Sequence, residues 1–250
     1  MKRLMDGTFE TEKTIAFSQC DHTQSLRPAS LMRLATDLAG EDYTHRGLPH
    51  DLLWEEGCVF LLSRIRFRFE RSLRAEETVT FHTWERGVSG PFCIRDYALR
   101  DAEGKPVAKG SSSWILCDPQ TRRILRPRQF PHEMQQHEEL AVPEVNAEKI
   151  LLPEGMADAG LRTVRYSDLD GNGHVNNAIY ADIACDVLPI ALFDRGIEEL
   201  SVNFIHEAKH GDTIALQLGE TDGVYYIGGT VDGAACFSCA MRFFAAQNDA

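Results

Sequence analysis

No stretch of the chain approaches the roughly 20 consecutive apolar residues that a membrane-spanning helix needs, so no span is expected. The opening residues, Met1-Lys2-Arg3-Leu4-Met5-Asp6-Gly7, lack an apolar core of signal-peptide length, and a cytoplasmic location is the expectation. Positive charge is scarce as well. Lys and Arg number 26 against 38 Asp and Glu, and the net charge of -12 argues against general nucleic-acid binding. Among 7 cysteines only Cys236 and Cys239 form a C-x-x-C pair, and no second pair completes a zinc site. Reduced core thiols, with neither metal nor cofactor, are therefore expected.

What is present is the composition of an ordinary globular protein, with 43% hydrophobic and 26% charged residues over 250 positions. That length accommodates one large domain or two of about 100–125 residues. The charge is uneven. Residues 1–128 hold 20 Lys and Arg against 18 Asp and Glu, whereas residues 129–250 hold 6 against 20. An acidic partner is repelled by the second half and tolerated by the first.

Laying the first half on the second gives an ungapped match at an offset of 149, with Ser18-Gln19-Cys20-Asp21 on Ser167-Asp168-Leu169-Asp170 and Arg46-Gly47 on Arg195-Gly196. Further along the offset drops to 135, placing Ile65-Arg66-Phe67-Arg68-Phe69 on Leu200-Ser201-Val202-Asn203-Phe204. The difference of 14 is the length of Leu48–Leu61, which the second half lacks. Two consistent offsets point to an internal duplication.

Each copy has a short strand (Thr14–Phe17; Thr163–Tyr166), a polar loop, then a long apolar-periodic helix. In the first helix Pro28 suits the first turn and Gly47 the stop; in the second Asn176 and Asn177 are suitable caps, and the periodicity extends through Val187 and Leu188. Strand-like runs follow at Phe60–Phe69, Thr78–Trp84, Cys93–Arg100 and Val107–Leu116, and again at Glu199–Ile205, Thr213–Gly219, Val224–Val231 and Ala235–Phe244. The expected plan is α+β, a helix wrapped by an antiparallel sheet, twice over. The expected division is a first domain over 1–128, a Pro-, Glu- and His-rich linker over 129–160 and a second domain over 161–250.

The densest polar cluster is Ser167-Asp168-Leu169-Asp170-Gly171-Asn172-Gly173-His174-Val175-Asn176-Asn177, at the entrance of the second helix. Helix entrances leave backbone N–H groups unpaired and carry partial positive charge, so an electron-rich group is held well there. Calcium is one reading, since Asp168, Asp170 and Asn172 take positions 1, 3 and 5 of the EF-hand pattern. Position 12, which needs a bidentate Glu, is Ile179, and a strand rather than a helix leads in. A structural turn explains Asp168, Gly171, Gly173 and Asn177 but accounts poorly for His174.

The run from Ser167 to Tyr180, with its Asp-x-Asn-x-His-Val-Asn-Asn core, resembles the signature of acyl-acyl-carrier-protein thioesterases. Asp118-Pro119-Gln120-Thr121-Arg122-Arg123 and Asn203-Phe204-Ile205-His206-Glu207-Ala208 resemble further stretches of that family. The resemblance implies two fused hot-dog domains and hydrolysis of a fatty acyl thioester. It carries catalytic roles onto Asp170, Asn172, His174 and Glu207. Plant relatives often have cysteine directly after the glutamate; here Ala208 excludes a thiol nucleophile and leaves attack by water. Glu207 or His174 is the expected general base, Asp170 orients His174 or its loop, and Asn172 donates to the water or the oxyanion. In the first copy Thr23, Ser25 and Ser72 stand opposite Asn172, His174 and Glu207, so one centre per chain is expected, with the first domain free to hold the acyl chain. That pocket is expected around Leu31, Met32, Leu34, Phe60 and Leu62.

The implied partner is acyl carrier protein, which is acidic, so docking needs a local basic surface. Arg64, Arg66 and Arg68 alternate with Ile65 and Phe67, and Arg122 with Arg123 forms a second group. A solvated sheet face with internal ion pairs is the competing reading. An acyl-CoA thioesterase, a hot-dog dehydratase and a non-catalytic acyl-thioester binder are the rival functions. The fused copies supply both halves of a pair, so the chain is expected as monomer or homodimer.

Overall fold

The computed structural model describes residues 2–246. The first half comprises β1 (Lys2–Arg3), β2 (Phe9–Thr14), helix α1 (Pro28–His45), helix α2 (His50–Glu55), β3 (Val59–Phe69), β4 (Thr78–Ser89), β5 (Phe92–Arg100) and β6 (Pro106–Cys117). The second comprises β7 (Ala157–Thr163), α3 (Asn177–Asp186), β8 (Ile197–Phe204), β9 (Thr213–Thr221), β10 (Val224–Val231) and β11 (Ala234–Phe243). These strands make one antiparallel sheet of 11 strands in the order β1-β2-β4-β5-β6-β3-β8-β11-β10-β9-β7. Without β1 the order is a palindrome about the β3–β8 seam. At the seam Arg66 pairs with Ser201, its own equivalent in the duplication, while Ile65 and Phe67 pair with Val202 and Leu200. The sheet is thus continuous across a pseudo-two-fold axis.

The helices α1 and α3 lie on the inner face and pack against each other. Alternation explains the inner face: Ile65, Phe67, Val79, Phe81, Tyr97 and Leu99 are fully buried with Leu31, Met32, Ala35 and Leu38 of α1. The α3 helix packs Ala181, Ile183 and Ala184 into the same core, together with Val202, Ile227 and Phe237. This is the hot-dog arrangement, one helix per half-sheet.

Three elements differ from expectation. The first strand of each copy lies at Phe9–Thr14 and Ala157–Thr163, several residues before the apolar run, which instead turns as short 3₁₀ segments at Phe17–Gln19 and Tyr166–Asp168. Phe17 and Tyr166 are exposed, so these aromatics do not mark strands. The α3 helix ends at Asp186, before Val187 and Leu188, because Pro189 disfavours helical geometry in the residue preceding it.

The segment between the halves is a strap laid across the outer face of the sheet. Val142 and Val145 pack on Trp84, the Arg86 guanidinium donates to Asn146 Oδ1 at 2.7 Å, and Lys109 pairs with Glu144 at 2.7 Å. Further on, Asn203 Oδ1 accepts the Ile150 N–H at 2.7 Å and Asn203 Nδ2 donates to the Glu148 carbonyl at 3.1 Å. Among the described residues no helix is long and apolar enough to cross a membrane.

Candidate active site

The loop that enters α3 is built from backbone bonds. The Asp170 N–H donates to the His174 carbonyl at 2.9 Å, the Gly173 N–H to the Asp170 carbonyl at 3.1 Å, and the Asn172 N–H to Asp170 Oδ1 at 2.8 Å. Gly173 takes φ +78°, a left-handed value that this tight turn requires. Beneath the loop the Val175 N–H donates to the Ala208 carbonyl at 2.9 Å, which fastens the helix entrance to the exit of β8. Asn176 caps α3 through the Ala178 N–H.

The first copy repeats these bonds at the equivalent atoms. The Asp21 N–H donates to the Ser25 carbonyl at 2.8 Å, the Leu26 N–H to the Leu73 carbonyl at 2.8 Å, and Gln24 takes φ +63° in place of Gly173. The bridges Ser25–Arg74 and His174–Lys209 likewise match at offsets of 149 and 135. The loop scaffold is common to both copies; the side chains facing outward from it are not.

In the second copy His174 Nε2 lies 3.2 Å from Glu207 Oε2. The same carboxylate oxygen accepts from Arg122 Nη2, which reaches over from the hairpin that ends β6. Among the described residues Glu207 Oε1 accepts no hydrogen bond, nor does the Asn172 side-chain amide make one. Asp170 shares the loop and fixes it through the Asn172 N–H; among the described residues its carboxylate makes no hydrogen bond to the His174 ring. Asp168 is buried, accepting from Arg162 at 2.8 Å and from the Arg165 N–H at 2.7 Å, and belongs to the scaffold.

Two residues gain roles that sequence reasoning did not assign. Arg122, expected on a docking surface, is instead bonded to Glu207, held there by a turn in which its own φ is +57° and Asp118 accepts from the backbone of Gln120 and Thr121. Tyr180, buried between Phe204 and Phe237, accepts the Ala208 N–H at 3.1 Å and so pins the residue after Glu207. Burial pushes its hydroxyl up to about 12, so it stays protonated at neutral pH. Ala208 itself is fully buried in the core.

Asn172, His174, Glu207 and Gly171 stand on a cavity of about 740 Å³. Every other lining residue comes from the first half, on α1, α2 and the connection between them and on β3 to β6 with the hairpin that follows. The position expected from sequence needs correction. Leu31, Met32 and Leu62 are core residues, and Leu34 packs against that core; the cavity lies further along α1, at Thr36, Ala39, Gly40, Tyr43 and Thr44. Leu48, His50, Leu53, Trp54, Val59, Phe60 and Leu61, all from the insertion that the second copy lacks, supply one wall. Two cysteines line the space. Burial pushes Cys93 up to about 12 and raises Cys117, so both are protonated thiols and poor nucleophiles at neutral pH.

The pseudo-two-fold generates a second, counterpart position where Asp21, Ser25 and Ser72 face Phe193, Gly196 and Ile197. Only about 20 Å³ is left there. Gly196, at φ +76°, sits so close to Ser72 that a Cβ would lie 2.3 Å from its hydroxyl. Each half therefore offers its loop to the other half's pocket, and one of the two pockets is closed.

The arginines of β3 are largely engaged. Arg66 pairs with Glu199 at 2.7 Å and Arg64 lies 4.8 Å over the Phe92 ring, while Arg68 and Arg123 are exposed.

Comparison with known proteins points to one family. The family profile described as the acyl-ACP thioesterase N-terminal domain matches residues 6–131, and that of the C-terminal domain matches residues 157–227. The oleoyl-acyl carrier protein thioesterase 2 of Arabidopsis thaliana is 24% identical over 216 residues, covering 81% of this chain and 55% of that protein. An acyl-[acyl-carrier-protein] hydrolase of Cuphea viscosissima is 27% identical over 51% of this chain and 33% of its own length. The chain spans about a third of the length of the first curated relatives it matches. Among solved structures, the 12:0-ACP thioesterase of Umbellularia californica superposes with a TM-score of 0.81 at 17% identity, covering 94% of this chain and 96% of that one. An acyl-ACP thioesterase of Bacteroides thetaiotaomicron gives 0.78 at 20% identity, covering 94% and 97%. With the first profile alone spanning half of its residues, the chain belongs to the acyl-ACP thioesterase family.

Proposed function

We propose that this protein hydrolyses the thioester between a fatty acyl chain and acyl carrier protein, and that Asp170, Asn172, His174 and Glu207 form its site. The observation that carries the proposal is the Arg122–Glu207–His174 cluster opening onto a cavity of about 740 Å³. Residues 1–128 then hold the acyl chain and residues 161–250 carry the chemistry, with 129–160 between them.

Glu207 is the general base we favour. Its Oε2 is held by Arg122 and lies 3.2 Å from His174 Nε2, and Oε1 is left for a water molecule. A carboxylate oxygen only accepts, so a bond across the 3.2 Å gap puts hydrogen on His174 Nε2 and leaves Nδ1 as the acceptor. Water oxygen attacks the carbonyl carbon as its proton passes to Glu207. The oxygen that becomes negative accepts from the Asn172 amide, beside the N–H groups at the α3 entrance. When the C–S bond breaks, the proton returns to the departing thiolate. Free fatty acid and carrier thiol are the products, and the carbon skeleton of the acyl chain is untouched.

The carrier docks, in this proposal, on first-half arginines that remain exposed, Arg68 and Arg123 with the neighbouring Arg64 and Arg66. One chain supplies both pocket and chemistry, so a monomer suffices. A cytoplasmic setting belongs to the same reading.

The test is release of free thiol from acyl-carrier and acyl-CoA series. Glu207→Gln and His174→Ala are each expected to lower kcat by about 10²–10⁴ while the protein stays folded. Near-normal turnover in both variants sinks the site assignment. No thiol from either series sinks the hydrolysis itself.

A further inference from the structure

The cavity changes character along its length. Glu85 of β4 and Arg95 of β5 are direct cross-strand partners, and both continue inward-facing rows, Val79-Phe81-Thr83 on one strand and Leu99-Tyr97 on the other. Arg95 sits opposite Ser112 on β6, five residues before Cys117, whose hairpin carries Arg122 to Glu207. Five residues of extended strand span about 16 Å. The charged pair therefore stands far from the chemistry, at the other end of the same space.

Arg95, 3% exposed, donates from Nη2 to Asp42 Oδ2 at 2.9 Å and from Nη1 to Thr83 Oγ1 at 3.3 Å. Glu85 accepts from the Tyr43 hydroxyl, from Arg46 Nη1 at 2.9 Å and from the Gln135 N–H at 2.8 Å. Arg3 Nη1 closes the group by donating to Asp42 Oδ1 at 2.8 Å. Among the described residues no side-chain polar atom of Tyr43, Asp42, Glu85 or Arg95 is buried without a partner. The network is complete without a ligand, which marks it as a wall rather than a site awaiting an ion.

We propose that this wall sets the length of the acyl chain: Tyr43, Glu85 and Arg95 stop a methyl-terminated chain and admit a longer one only when its far end carries a hydroxyl. The inference rests on the cavity being an acyl pocket. Hydrocarbon pressed onto this charged wall returns no hydrogen bond to it, so added methylenes cease to help and begin to cost. A terminal hydroxyl both donates and accepts, and so meets the wall with a hydrogen bond.

Binding can be read without turnover, because Trp54 and Trp114 line the cavity. Saturated fatty acids from octanoate to stearate, and their ω-hydroxy counterparts, are titrated against wild-type protein by tryptophan fluorescence. The expected result is affinity that rises per methylene to a break and falls about tenfold just beyond it, with the ω-hydroxy acid recovering most of the loss. In Glu85→Leu/Arg95→Met, where both partners are removed together, the break moves to longer chains; the wild-type comparison decides the matter if that variant does not fold. Affinity climbing through stearate with no break, or weakened by the hydroxyl at every length, overturns the wall. A break in binding with no thiol release refutes the hydrolysis and leaves the wall standing. Thiol release without a break does the reverse.

Discussion

Arg122 determines which oxygen of Glu207 is left without a partner among the described residues. A carboxylate among water molecules presents either oxygen, but here Oε2 is taken by the guanidinium and faces His174, so Oε1 alone points free. The neighbouring Arg123 is exposed and lies outside this cluster. The two arginines should therefore separate in kinetics. Arg122→Met is expected to lower kcat by about tenfold, modest because the pair is largely solvent-exposed. Arg123→Glu is expected to leave kcat unchanged and raise KM for carrier-bound substrate in a salt-dependent manner. Steady-state rates at two salt concentrations check both, and a kcat loss confined to Arg123→Glu reverses the assignment. Asp170, Asn172 and His174 were legible because one loop holds them, and the duplication together with family resemblance singled out Glu207. Arg122 was not, since 85 residues separate it from Glu207 and only a left-handed turn brings it round.

The two helices began as equivalents and now do different work. The α1 helix runs 18 residues, and its last two turns, with α2 behind them, roof the cavity; α3 stops after 10 residues at the Leu188-Pro189 step. The alternation of β3 and β8 and of the three strands after each was plain from sequence. The strands β2 and β7, toward the two ends of the sheet, are not marked by the sequence pattern because Phe9-Glu-Thr-Glu-Lys-Thr and Ala157-Asp-Ala-Gly-Leu-Arg-Thr present few inward apolar side chains. Where the helices meet, Asp182 is half-buried, with Arg27 and Arg33 drawing it toward ionisation and Asp186 opposing. Burial outweighs the arginines and raises the Asp182 carboxyl above the usual 3.8. A raised carboxyl contributes stability below its unfolded value and loses it as the pH climbs through the folded one. Asp182→Asn is accordingly expected to raise Tm by a degree or two at neutral pH, about 0.5 kcal/mol. The gain should shrink as the pH is lowered toward the carboxylate range. Calorimetry across that range is the check, and a gain that grows on acidification contradicts the sign.

Across the entire fold, the cavity is walled mainly by the first half and completed by Asn172, His174 and Glu207 of the second, so the seam between the halves has to hold its register. The β3–β8 ladder does this from within the sheet, and the strap does it from outside, crossing from Trp84 on β4 to Asn203 on β8. Composition predicted a Pro-, Glu- and His-rich linker there. The apolar anchors Val142 and Val145 are too sparse to register as periodic, and the polar clip depends on an asparagine inside a strand. Asn203 is 5% exposed, and its amide satisfies one N–H and one carbonyl of the strap. Replacing it with alanine leaves both of those backbone groups without their partner, a loss of about 1–3 kcal/mol. For a chain of this size that corresponds to roughly 2–4 °C in Tm for each kcal/mol. Because Asn203 lies on the outer face, remote from the cavity, Asn203→Ala should lower Tm by several degrees with kcat and KM unchanged. Its expected partner in effect is Val145→Ala, which removes a fully buried side chain from the same strap and lowers Tm in the same way. If the strap acts as one clip across the seam, the double variant loses less than the sum of the two, because releasing either end has already freed the other. Strict additivity in thermal denaturation would show instead that the two anchors fasten independent segments.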